Sequence, residues 1–77
     1  MALITNATTV WSDPVTLAED EIWQARQGSV FLTTTDGPVA TDGIALALRD
    51  GLRLTAGTEL RYRKEGPTAA VIVREVM

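Results

Sequence analysis

Few side chains in this sequence are equipped for chemistry at neutral pH: ten carboxylates, Lys64, Tyr62 and scattered hydroxyls, with no histidine and no cysteine. The two missing residue types exclude imidazole acid–base catalysis, thiol nucleophiles, Cys/His zinc modules, haem held by His or Cys, and disulfide staples. A hard-cation site would have to be built from carboxylates. Glu19-Asp20-Glu21 is the densest acidic run, but adjacent residues of a turn point in different directions and are normally solvated. Asp36, Asp42 and Asp50 are each followed by glycine. Three such carboxylates converging with backbone carbonyls would suit Ca²⁺, yet Asp-Gly is foremost a turn dipeptide, and that structural role is the stronger expectation. Ser12 and Ser29 have no evident base, and the glycines lack phosphate-cradling spacing. The expectation is a protein with no catalytic residue, no cofactor and no metal site.

Binding features are better represented. Trp11, Trp23, Phe31 and Tyr62 are the only aromatics, and one tryptophan with Phe31 or Tyr62 is expected to anchor the core. Trp11, beside Ser12-Asp13-Pro14, reads as an interface anchor. Arg61 and Arg63 share one face of an alternating stretch, and Arg53 is expected to join them from a neighbouring strand to grip carboxylates on a partner. Leu3 and Ile4 lie in a leading segment without turn signals, expected to act as an arm that pairs with a neighbour's sheet edge. The alternative use of the aromatics is a carbohydrate- or ligand-stacking platform built from Trp11, Trp23 or Tyr62.

The elements that must position these residues are short. Six glycines and three prolines cut the chain into segments of about 4–8 residues rich in Val, Ile, Leu and Thr, the pattern of an all-β domain. Eleven threonines reinforce this, because β-branched side chains suit a pleated surface better than a helix. The expectation is a small sandwich or barrel of about 6–8 short antiparallel strands spanning residues 13–77, with residues 1–12 as an N-terminal arm or edge strand. Leu60 and Tyr62 alternate with Arg61 and Arg63. Lys64-Glu65-Gly66-Pro67 then turns the chain into a largely apolar return from Ala69 to Val76, which reads as the other half of a strand pair. Asp42-Gly43-Ile44-Ala45-Leu46 is echoed by Asp50-Gly51-Leu52-Arg53-Leu54, each a turn followed by a strand. Residues 34–43 form the longest loop. Residues 17–27 carry two signals: a capping box at Thr16-Leu17-Ala18-Glu19 for a helix, and strand-like runs on either side of an acidic turn. The strand reading is preferred because its neighbours are β.

With 77 residues and a net charge of −3, a chain of this kind has a core worth only about 3–5 kcal/mol unless something else supports it. Self-association or docking on a larger body is the expected support. Residues 1–42 carry six acids against Arg26 alone, whereas residues 43–77 carry six basic residues against four acids. An acidic half and a basic half suit contact between copies. Nucleic acid is not an expected partner at a pI of about 4.7. No apolar run approaches the roughly 18 residues of a membrane span, so no membrane partner is expected. The start of the chain lacks the basic residues of a secretory signal, and synthesis in the cytoplasm is expected.

Two stretches, Glu21-Ile22-Trp23-Gln24-Ala25-Arg26-Gln27-Gly28-Ser29-Val30 and Ala56-Gly57-Thr58-Glu59-Leu60-Arg61-Tyr62-Arg63, resemble small β-rich structural proteins of tailed bacteriophages. That resemblance implies a Thr- and Ala-rich sandwich or barrel on the virion, commonly a trimer that decorates the capsid or forms the base of a fibre, with no catalytic residue. A strand ending in glycine before Ser29-Val30-Phe31-Leu32 is also similar to a minimal cupin-like barrel, from which the chain departs by lacking the histidine metal ligands.

Overall fold

The computed structural model describes residues 1–77 and contains eight strands and no helix. The strands are β1 (Ala2–Ile4), β2 (Val15–Thr16), β3 (Glu21–Gln27), β4 (Val30–Thr33), β5 (Ile44–Leu46), β6 (Gly51–Leu54), β7 (Glu59–Lys64) and β8 (Val71–Val76). They form two four-stranded antiparallel sheets, sheet A in the order β1-β8-β3-β6 and sheet B in the order β2-β7-β4-β5. The pairings are nested. β4 lies on β5, β3 on β6, β2 on β7 and β1 on β8, as in one long hairpin. The hairpin is rolled up so that β3 also reaches β8, and β4 also reaches β7. This is the strand order of a jelly roll.

The preferred reading of residues 17–27 holds: β2 and β3 flank a turn over Leu17–Asp20. The capping box is overridden because Leu17 is drawn into the core, its N–H donating to the Thr58 carbonyl at 2.9 Å. Two expected neighbours are separated. β7 and β8 are both present, but β7 lies in sheet B and β8 in sheet A; the segment between them crosses the sandwich instead of closing a hairpin. β5 and β6, the two halves of the Asp-Gly echo, are split in the same way. Every connection except the β4–β5 loop crosses from one sheet to the other. The β3–β4 crossing is tight enough to require glycine. Gly28 has φ +66°, and a Cβ there would sit 2.8 Å from the Ala69 carbonyl oxygen.

Alternation along the strands fills the space between the sheets. From sheet A come Trp23, Ala25 and Ile72; from sheet B come Val30, Leu32, Leu46, Leu60 and Tyr62, all buried. Trp23 is wholly inaccessible and lies 6.2 Å, centroid to centroid, from the tilted ring of Tyr62. These two are the core pair.

One charged group shares that interior. Glu21 is 7% exposed and stands at the end of the inward face of β3. Its carboxylate is met by the Arg74 guanidinium in a two-pronged contact, Nε donating to Oε1 at 2.9 Å and Nη2 to Oε2 at 3.0 Å. The Trp23 indole N–H donates to Oε1 at 3.0 Å, and Arg74 lies 5.0 Å from the Trp23 ring centroid. Neighbouring strands dictate this meeting, because the β3–β8 register sets Trp23 opposite Arg74 and Glu21 opposite Val76. The bonds from Arg74 hold the Glu21 carboxyl below its ordinary value, against the upward push of burial.

The folded state therefore keeps Glu21 ionised at a pH where the unfolded chain takes up a proton. That stability is present above the ordinary value of 4.5 and is lost as pH falls through the lowered folded value. Glu21→Gln should cost about 1–3 kcal/mol at pH 7, since it weakens bonds to a half-buried guanidinium and to the buried Trp23 indole. In urea titrations the gap between wild type and variant should be largest at pH 7 and shrink at pH 3. A gap that does not change with pH contradicts this account of Glu21.

Candidate protein-contact site

The outer face of sheet B gathers most of the residues marked for contact. Arg61 and Arg63 alternate outward on β7, and the register sets Arg63 beside Phe31 on β4. Trp11 reaches the same face from the segment before β2. The Arg63 guanidinium is packed between two rings, 4.3 Å from the Phe31 centroid and 5.2 Å from that of Trp11. Such stacking is worth about 0.5–2 kcal/mol per ring, depending on how dry it is. Arg63 Nη2 donates to the Ala40 carbonyl at 2.7 Å, and the Trp11 indole N–H donates to the Val39 carbonyl at 2.9 Å. Arg61 lies 3.5 Å from the Asp36 carboxylate and 3.4 Å from the Ser12 carbonyl. The long loop of residues 34–43 is thus strapped across its own sheet.

This placement revises several expectations. Arg61 and Arg63 do come together, but their contacts go to the loop of the same chain. Arg53 does not join them, because β6 pairs with β3 in the opposite sheet. Trp11 is half-buried as the lid of this stack and not a free anchor. Trp23 and Tyr62 lie in the core, so they offer no surface for stacking a sugar. Asp42 and Asp50 accept hydrogen bonds from the Val39 and Ala47 amides in their own turns, and no three acidic side chains converge as metal ligands.

The leading segment is also committed to its own domain. Ala2, Leu3 and Ile4 pair with Arg74, Val73 and Ile72, and Ile4 packs against the core. Further on, Thr8 accepts a hydrogen bond from the Lys64 amide at 2.8 Å, and Ser12 donates to the Tyr62 carbonyl at 2.9 Å. The Tyr62 hydroxyl donates to Asn6 Oδ1 at 2.8 Å. Residues 1–12 are therefore an edge strand and its continuation along β7. They are not an arm held free for a neighbour. Leu3 alone of the two marked residues faces outward, half exposed.

The outer face of sheet A was legible in the sequence only on its Val71 and Val73 side; the residues that join them there depend on strand pairing. Leu3, Ile22, Val71 and Val73 share this face by strand alternation and register. The signal was present in β8, where Val71 and Val73 alternate with Ile72 and make both of its faces apolar. A recess of about 320 Å³ opens between the free edges of β5 and β6, floored by Leu32, Leu54 and Leu60 and rimmed by Thr33, Thr34 and Thr35. It is the mouth of the sandwich and exposes few polar groups able to orient a ligand.

No known protein family matches the chain, and no curated protein or solved structure does either.

Two outcomes follow from the strapped face. Arg63→Ala removes both ring contacts and the hold on Ala40. It should cost about 1–2 kcal/mol and free the loop, so that acrylamide quenches Trp11 emission while Trp23 stays shielded. Unchanged quenching would show that Arg63 does not hold the strap. Deleting residues 1–12 should abolish the cooperative thermal transition, because it strips an edge strand and uncovers Tyr62; a truncated chain melting as wild type does would refute that role.

Proposed function

We propose that the chain is a non-enzymatic structural module that works through protein–protein contact, as a component of a phage virion that decorates the capsid or attaches a fibre. One observation carries this reading. The aromatic side chains Trp11, Trp23 and Phe31, with Glu21, Arg63 and Arg74, are taken up in holding the fold. The outer face of sheet A leaves Leu3 and Ile22 open to water. A domain that spends its polar chemistry internally and exposes aliphatics has contact as its remaining means of action. The jelly-roll strand order suits that role, since the same architecture recurs in viral capsid and lectin domains. The resemblance of its Thr- and Ala-rich strands to tailed-phage structural proteins points the same way. The lectin-like alternative loses its support, with Trp23 and Tyr62 buried and Trp11 engaged.

Particles induced from a strain that carries the gene, purified on a density gradient, test this directly. Peptide mass spectrometry should find the chain in the particle band at a fixed ratio to the major capsid protein. Particles of normal composition that lack it would defeat the virion assignment.

A further inference from the structure

The outer face of sheet A carries a row that is self-complementary in charge. The strand register sets Glu75, Ile22 and Arg53 side by side on β8, β3 and β6. The next row holds Leu3, Val73, Gln24 and Gly51 on β1, β8, β3 and β6. Ile22, 37% exposed, and Leu3, 50% exposed, are large apolar side chains open to water. Glu75 and Arg53 are exposed, one on each side of Ile22, and neither has an ion-pair partner in the chain. The opposite face of the sandwich is covered by its own loop. This one is not.

From this arrangement we infer that sheet A is the docking face for a second copy of the chain, the two related by a two-fold axis that passes between the Ile22 side chains and bisects the angle of roughly 30° between the two β3 strands. Stacking two sheets about that axis exchanges left and right. Glu75 of each copy then meets Arg53 of the other, while the two Ile22 side chains meet at the centre. In the second row Val73, recessed to 8% exposure, falls opposite Gly51, so nothing bulky there holds the two sheets apart. An isologous interface needs one patch that complements itself, and a charge–apolar–charge row across adjacent strands has that property. Arg26, at the far end of the same face of β3, is the one like-charged group near the axis. Aligned sheets cross at about 30°, so strands that touch at Ile22 have diverged by Arg26.

Size is compatible. A standard interface takes about 800 Å² from each partner, roughly a sixth of this chain's 4649 Å², and the molecule measures 30 × 25 × 18 Å. The geometry yields a pair and not the trimer implied by the phage resemblance. It stands independently of the virion reading, because it concerns the purified chain alone.

Charge reversal tests it without touching the core. Sedimentation equilibrium of the wild type should show a monomer–dimer equilibrium that weakens with added salt. Arg53→Glu or Glu75→Arg alone sets like charges together twice in each pair and should weaken dimerisation by about tenfold or more. The double variant R53E/E75R restores opposite charges and should recover most of the loss. Ile22→Ser should also favour the monomer, with circular dichroism confirming that each variant is folded. A wild type that stays monomeric at millimolar concentration overturns the inference. So does a dimer or trimer indifferent to both single reversals, or a double variant as weak as the singles.

Discussion

The rest of the molecule depends on the antiparallel pairing of β3 with β8. These strands are about fifty residues apart, and their ladder runs from Glu21 opposite Val76 to Gln27 opposite Val71. The register decides three things together. It turns Trp23 and Ala25 inward beside Ile72, it brings Arg74 within reach of Glu21, and it sets Ile22 next to Glu75 on the outside. A slip of one residue would reverse every face. Trp23 would be put into water and Ile22 into the core. The bulge between Ala25 and Gln27 marks where the strict ladder ends, just before Gly28 carries the chain across to sheet B. The Glu21–Arg74 contact is best understood as a check on this register. A buried ion pair adds little net stability over well-packed apolar residues, but breaking one is costly. Any alternative pairing that separates the two charges is therefore penalised.

Local pattern reveals strands and faces far better than partners, and this chain shows why. Alternation in Glu59–Lys64 identifies which side chains of β7 turn inward, and the turn residues at Lys64–Pro67 mark where the strand stops. Neither says whether the next strand returns in the same sheet. In a nested roll it does not, and β7 and β8 part to opposite sheets. The same limit explains Arg53. Its outward direction on β6 is legible from Leu52 and Leu54 on either side, but grouping it with Arg61 and Arg63 requires knowing that β6 lies beside β7, and it lies beside β3. The acidic turn over residues 17–20 was legible for a different reason: a helix there would have buried only the thin stripe of Ala18, Ile22 and Ala25, while strands bury Trp23.

Polar side chains stand in for the staples this sequence lacks. On one side of the sandwich Arg74 ties β8 to β3 through Glu21. On the other, Arg63 ties β7 to the loop of residues 34–43, and Trp11 closes over it. Arginine suits both places, since its planar group stacks on rings while donating in several directions. The second clasp is imperfect. Arg63 Nε is buried without a hydrogen-bond partner, an expense that the two flanking rings and the Ala40 carbonyl offset. The β4–β5 loop, ten residues long and the one connection that stays within a sheet, would otherwise hang free over Phe31. Strapping it down converts an exposed aromatic into covered surface.

The two outer faces therefore meet water on unequal terms. Sheet B is sealed by part of its own chain, and the residues most able to recognise a partner are used up in the seal. Sheet A has no such cover, although β8, with Val71, Ile72 and Val73 in succession, has the composition of a strand covered on both sides. Only one of those covers, the core, is supplied within the chain. Val73 is 8% exposed, yet Leu3 and Ile22 beside it remain open. The economical cover for the second face is a surface of matching pattern, and the Glu75–Ile22–Arg53 row matches itself.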